Sequence, residues 1–159
     1  GRQSPPPVLI PSLDTLRALT SNPPAVAFKL ADKFWPGALT LILHAQPSLS
    51  WDLGETKGTV ALRIPNDEVT LALLKEVGPL AVSSANLTGQ PAANNIDEAQ
   101  DYFGKKVGVY LDGGAAKSSK PSTILDLTDD GFVKVVRIGV LTVAQIKKVV
   151  GEDAVVISG

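Results

Sequence analysis

The sequence predicts an α/β fold in a single domain over residues 1–159, with a twisted sheet of parallel and antiparallel strands flanked by helices and a C-terminal helix and tail over 140–159. Three observations carry this. Helical and extended patterns alternate along the chain with one late hairpin. Leu39–Leu43 is a continuous apolar run of the kind found in an interior strand. Gly58–Ile64 alternates strictly, with Val60, Leu62 and Ile64 against Thr59, Ala61 and Arg63.

The elements follow in order. Val8–Ile10 reads as a short strand, and Ser12 caps a helix with Leu13, Leu16 and Leu19 on one face. Asn22-Pro23-Pro24 opens a second helix, in which Val26, Leu30 and Phe34 recur every fourth residue until Pro36-Gly37 stops it. After Leu39–Leu43 comes a polar loop, Gln46–Lys57, and then the alternating strand. Pro65-Asn66-Asp67 leads into a helix through Val77 that Gly78 closes. Pro79–Val82 reads as a strand buried on both faces, and Asn95 caps a helix over Ile96–Phe103. Val107–Leu111 reads as another strand, leading into the Gly-, Lys- and hydroxyl-rich loop Asp112–Thr123. Thr123–Leu127 and Phe132–Ile138 form a hairpin about Asp129-Asp130-Gly131, and Thr142 with Gln145 makes a capping box for Val143–Val150.

Composition removes several classes of function. With 159 residues and 44% apolar content the chain can bury one real core. A net charge of −1 excludes a globally basic nucleic-acid binder, so any contact with tRNA or double-stranded RNA must be local. No cysteine is present, which removes disulfides, thiolate chemistry and cysteine metal sites and makes the cytoplasm the expected location. No apolar run reaches membrane-spanning length. The chain has no methionine and opens in Gly1-Arg-Gln-Ser-Pro-Pro-Pro7, so the expectation is that an N-terminal part is missing.

The chain is organised around Pro79–Pro91, whose apolar start gives way to Ser83, Ser84, Asn86, Thr88 and Gly89. Such small polar groups at a strand's carboxyl end suit a loop that wraps a polar ligand, and equally an ordinary strand-to-helix turn. Arginine is rarer and more informative. Of four, Arg2, Arg63 and Arg137 sit beside hydroxyl-rich segments, while Arg17 lies on an amphipathic helix face. Arginine matches carboxylates and phosphates, so the three point to a ligand with several anionic groups. Thr59, Ala61 and Arg63 on one face of one strand read as the floor of an anion pocket, with a solvated face as the alternative. Gly113–Ser118 lacks phosphate-loop spacing and opens no helix. No His, Asp and Glu cluster has metal-ligand spacing, and no protein nucleophile stands out. What remains is a site that holds anions and aligns substrates, as nucleotidyl transfer requires.

Phe34–Leu43, Gly58–Pro65, Pro79–Gly89, Asp112–Gly114, Pro121–Asp126 and Arg137–Gly139, in that order, resemble the motifs of the YrdC-like threonylcarbamoyl-AMP synthases. The resemblance implies a concave anion-binding cavity over the sheet and an enzyme, a nucleotidyltransferase, that makes threonylcarbamoyl-AMP and pyrophosphate from L-threonine, bicarbonate and ATP for t6A modification of tRNA. By position it assigns Arg63, Ser83 and Ser122 to L-threonine and Arg2, Thr59, Ala85, Ala93 and Arg137 to ATP, with Ser84 and Asn86 supporting the loop. Magnesium would accompany ATP, and downstream t6A transferase proteins would receive the product. The alternative is a non-catalytic YrdC-like RNA-binding or ribosome-associated protein. Two positions depart from the family pattern, Pro6 in place of asparagine and Pro11 in place of histidine, and each bears on a substrate contact.

Overall fold

The computed structural model describes residues 6–116, 118 and 120–157. Its chain divides into two compact units, Gly1–Val82 with Pro121–Gly159, and Ser83–Lys120.

The first unit holds a seven-stranded sheet and four helices. In chain order these are β1 (Val8–Leu9), α1 (Leu13–Leu19), α2 (Ala25–Phe34), β2 (Leu39–His44), β3 (Thr59–Arg63), α3 (Glu68–Val77) and β4 (Leu80–Ala81), and then, after the second unit with its helix α4 (Ile96–Phe103), β5 (Thr123–Asp126), β6 (Val133–Arg137), α5 (Val143–Val150) and β7 (Val155–Ile157). The sheet order is β4-β1-β3-β2-β5-β6-β7. Parallel pairs β1–β3, β2–β5 and β6–β7 mix with antiparallel pairs β1–β4, β2–β3 and β5–β6, which is the expected mixed α/β class. β7 has no counterpart among the strands read from sequence.

β2 lies at the middle because its partners satisfy both of its edges: Leu41 faces Leu62 of β3 and Leu125 of β5. Leu39, Leu41 and Leu43 are fully or almost fully buried, together with Val60, Leu62, Leu125, Val133 and Val135 from neighbouring strands. Against them pack Leu16 and Leu19 of α1, Ala27 and Leu30 of α2 and Ile146 of α5. The expected caps form: Ser12 and Asn95 accept from the amides of Thr15 and Glu98, and Thr142 with Gln145 closes a capping box. Asp67 adds a further cap, accepting from the Thr70 amide. Arg17 bonds Asp14 at 3.0 Å and lies over the Phe28 ring, as befits a helix-surface residue.

Two expectations are corrected. The Pro79–Val82 run is not a strand buried on both faces. β4 spans two residues at the sheet edge, paired on one side only, and Ala81 is exposed. Val107–Leu111 forms no strand. Among the described residues of the second unit there is no sheet to join, and Val107, Val109 and Leu111 are exposed, Val109 by 74%. Apolar alternation makes a strand only where another backbone meets its hydrogen-bonding edge. No helix among the described residues is long and apolar enough to cross a membrane.

Leu41 is wholly enclosed, and its truncation leaves a cavity at the centre of the layer. Leu41→Ala is expected to lower unfolding free energy by about 2–5 kcal/mol in a denaturant titration, with the slope unchanged.

Candidate functional site

The burial of Leu39, Leu41 and Leu43 against the helices places Thr40, Ile42 and His44 on the opposite face of β2. On β3, buried Val60 and Leu62 likewise leave Thr59, Ala61 and Arg63 on that second face, each half-buried. On β5, Thr123 and Leu125 turn to the helices, so Ser122, Ile124 and Asp126 share the face of Arg63.

Arg63 is fixed by the backbone. Its Nε donates to the Gly37 carbonyl at 2.8 Å, and the Gly37 amide donates to Ile64 O at 2.9 Å. A Cβ at Gly37 would overlap the Phe34 carbonyl oxygen, which explains the glycine there. Arg137 is fixed in the same manner from the other side. Its Nε and Nη2 donate to the Ser122 carbonyl at 3.1 and 2.8 Å, and Nη2 also reaches Ser122 Oγ at 3.2 Å. Ser122 Oγ lies 2.8 Å from Thr40 Oγ1, and both residues are buried.

Burial, and after it the positive charge of Arg137, hold the Arg63 guanidinium below its ordinary pKa. Neither arginine has a carboxylate partner among the described residues. The Thr123 amide donates to Ala38 O at 3.0 Å, which sets the Gly37 and Ser122 segments side by side, so two cations oriented by carbonyl dipoles stand over neighbouring backbone with their charges uncompensated. Such an arrangement favours an anion that both can share.

The turn behind Arg137 is held by Thr123. Its Oγ1 donates to Leu141 O at 2.8 Å and accepts from the amides of Gly139 and Leu141 at 2.9 and 3.0 Å, so all of its bonding capacity is used. Thr59, at the far end of β3 from Arg63, donates its hydroxyl to Thr56 O at 2.7 Å and is left with lone pairs to offer. It borders a cavity of about 210 Å³ together with Pro6, Ile42, Leu53, Lys57 and Ala61.

In the second unit, Ser83, Ser84 and Ala85 are exposed in a turn closed by Asn86 N to Ser84 O at 3.0 Å. The Ala93 amide donates to Ala85 O at 2.8 Å, fastening together the two alanines assigned to ATP. The structure thus groups Thr59, Arg63, Ser122 and Arg137 within the first unit, and Ser83, Ser84, Ala85, Asn86 and Ala93 within the second. Arg2 lies outside the described residues. The sequence reading passed over Thr40, Gly37 and Thr123. The available signal was Thr40, the one hydroxyl in the run Leu39–Leu43, at a position where period 2 sends it away from the leucines. Asp112 accepts from the Gly114 amide at 3.0 Å, as a turn residue does, and His44 Nε2 lies 3.0 Å from Thr128 O.

A mixed sheet with one face given to apolar packing and the other to guanidiniums and hydroxyls defines an α/β protein whose second face is suited to an anionic ligand. The family model Sua5_yciO_yrdC, described as telomere recombination, matches residues 1–139, and the chain belongs to this family. A protein of Mycobacterium leprae is 48% identical over 151 residues, 95% of this chain and 68% of its own length. The threonylcarbamoyl-AMP synthase of Bacillus subtilis is 40% identical over 156 residues, 95% of this chain but 44% of its own length. Among solved structures, that of P. abyssi Sua5 complexed with L-threonine superposes with a TM-score of 0.91 at 31% identity, covering 99% of this chain and 46% of that one. The chain therefore spans less than half of the latter two proteins.

Gly139 sits where a Cβ would overlap the Pro121 carbonyl oxygen and the Ser122 backbone. Gly139→Ala must push apart the two segments that carry Arg137 and Ser122, and it is expected to cost about 1–3 kcal/mol of unfolding free energy, read by chemical denaturation.

Proposed function

We propose that this chain carries out the synthesis of threonylcarbamoyl-AMP from L-threonine, bicarbonate and ATP, with release of pyrophosphate. The observation that carries the reading is the Arg63–Arg137 pair, oriented by the Gly37 and Ser122 carbonyls and lacking any carboxylate partner among the described residues. It is supported by the family match over residues 1–139 and by relatives that bear this enzyme's name.

In this reading Arg63 and Ser122 hold the threonine carboxylate, with Ser83 a further contact to the amino acid. Arg137 and Thr59 belong to ATP, together with Arg2, Ala85 and Ala93. The threonine amine and bicarbonate combine with loss of water to give N-carboxythreonine; its carbamate oxygen attacks the α-phosphate, the new P–O bond forms, and the bond to the departing pyrophosphate breaks. The chain supplies no proton-transfer group to this step. Arg63 and Arg137 lower its barrier by standing fixed where negative charge gathers, without reorganising as the reaction proceeds. Among the described residues no group of three His, Asp or Glu converges to hold a resident cation, so magnesium is assigned to the phosphates of ATP. The product would pass to t6A transferase proteins acting on tRNA in the cytoplasm.

The test is pyrophosphate release from ATP by the full protein. Release that requires both L-threonine and bicarbonate is expected, and release indifferent to threonine, or none at all, overturns the proposal. Arg63→Ala is expected to raise the KM for threonine by about 10- to 150-fold, the equivalent of losing a charge-assisted hydrogen bond of about 1.5–3 kcal/mol.

A further inference from the structure

We propose that Thr40 is a positioning residue for the amino-acid substrate: through its hydrogen bond to Ser122 it turns the Ser122 hydroxyl hydrogen toward the substrate carboxylate. The inference rests on the reading of Ser122 as a threonine-binding residue.

The argument is a count of hydrogens. A serine hydroxyl has one hydrogen to give and two lone pairs to receive with. Arg137 Nη2 can only donate, so at 3.2 Å it takes one lone pair of Ser122 Oγ. The second lone pair and the hydrogen remain. Thr40 Oγ1, 2.8 Å away, can bond in either sense: it accepts the Ser122 hydrogen, or donates its own into the remaining lone pair. Thr40 is only 2% exposed, and among the described residues its hydroxyl has no partner besides Ser122.

A bound carboxylate decides between the two senses. It can only accept, so it draws the Ser122 hydrogen, and Thr40 must then donate to Ser122. In that state Ser122 Oγ receives from Thr40 and from Arg137 and has a single outlet, the ligand. Both donors polarise the hydroxyl and strengthen what it gives. A ligand group that donates instead must turn the pair round, so that Ser122 gives its hydrogen to Thr40 and the buried Thr40 hydrogen is left without an acceptor. The pair Thr40–Ser122 therefore selects an acceptor, and the doubly polarised hydroxyl favours the charged oxygen of a carboxylate over the neutral oxygen of its amide.

β2 enforces the arrangement. Leu39 and Leu41, buried on either side of Thr40 in sequence, lock its backbone to the helix face, and the parallel register sets Thr40 opposite Ile124, two residues past Ser122. Thr40 does not approach the ligand itself. It acts through the hydroxyl of its neighbour.

Thr40→Val removes the hydroxyl at nearly constant shape, Thr40→Ser keeps it, and Thr40→Ala serves as a second hydroxyl-free variant should valine disturb folding. Each is prepared in the full protein, checked for a cooperative thermal transition, and assayed for pyrophosphate release. Binding of L-threonine and of L-threoninamide is measured separately by calorimetry. Thr40→Val and Thr40→Ala are expected to raise the threonine KM and Kd about tenfold, with kcat and the KM for ATP within twofold of the parent, and to narrow the preference for threonine over its amide. Thr40→Ser should restore threonine binding to within about threefold, and in a Ser122→Ala background Thr40→Val should add less than twofold.

A hydroxyl-free variant that binds threonine as the parent does, or a Thr40→Ser variant as impaired as Thr40→Val, overturns the inference. So does a full additional loss on top of Ser122→Ala. A parent that binds threonine but releases no pyrophosphate sinks the proposed reaction alone, because the binding comparison still decides the role of Thr40. A parent that does neither overturns both.

Discussion

The burial of Leu39, Leu41 and Leu43 against α1, α2 and α5 is the interaction on which the rest of the structure depends. It anchors the strand that pairs with β3 on one side and β5 on the other, and so fixes which face of all three strands meets the helices. Since the side-chain period of a strand is two, a slip of one residue would exchange every member of the two faces. Arg63 and Ser122 are where they are because leucines elsewhere are buried. The core selects the site's geometry without contributing a single polar atom to it.

Upon that frame the polar residues are arranged by main chain more than by one another. Gly37 O and Ser122 O each hold a guanidinium, and the close approaches at Gly37 and Gly139 leave no room for a side chain. Thr123 uses its entire hydrogen-bonding capacity to hold the Ile138–Leu141 turn. Main-chain partners bring rigidity, since a carbonyl in a paired strand or tight turn has little freedom to follow a side chain away. Among the described residues of this face, the Ser122 hydroxyl meets two other side chains, Arg137 and Thr40, and it is toward Thr40 that the direction of the hydrogen bond can still be reversed.

Much of this was legible in the sequence, and the pattern of success is physical. The alternation in Gly58–Ile64 put Thr59, Ala61 and Arg63 together because period 2 is a local property of backbone geometry. Helix caps at Ser12, Asn95 and Thr142 were legible for the same reason: a cap joins residues three apart. The misreadings at Pro79–Val82 and Val107–Leu111 share one cause. An apolar extended segment announces that it can be a strand, but whether a partner lies beside it, on one edge or two, is decided by residues far away in the chain. The Thr40–Ser122 bond, spanning 82 residues, was out of reach on the same ground. So was the proximity of Arg63 to Arg137, which the sequence offered only as two arginines of similar setting.

Holding arginines by carbonyls instead of carboxylates has an electrostatic consequence beyond the site. A carboxylate partner would have cancelled each charge and would itself have become neutral in acid; a carbonyl does neither. The molecule's net charge of −1 is therefore no guide to the field a ligand meets. A small anionic protein keeps a local electropositive spot that does not fade as its acidic side chains protonate, and whose reach is set by the ionic strength of the medium, about 8 Å under physiological salt. Attraction at that spot is short in range and steady across pH, a combination that favours capture of anions already close to the sheet over steering them from afar.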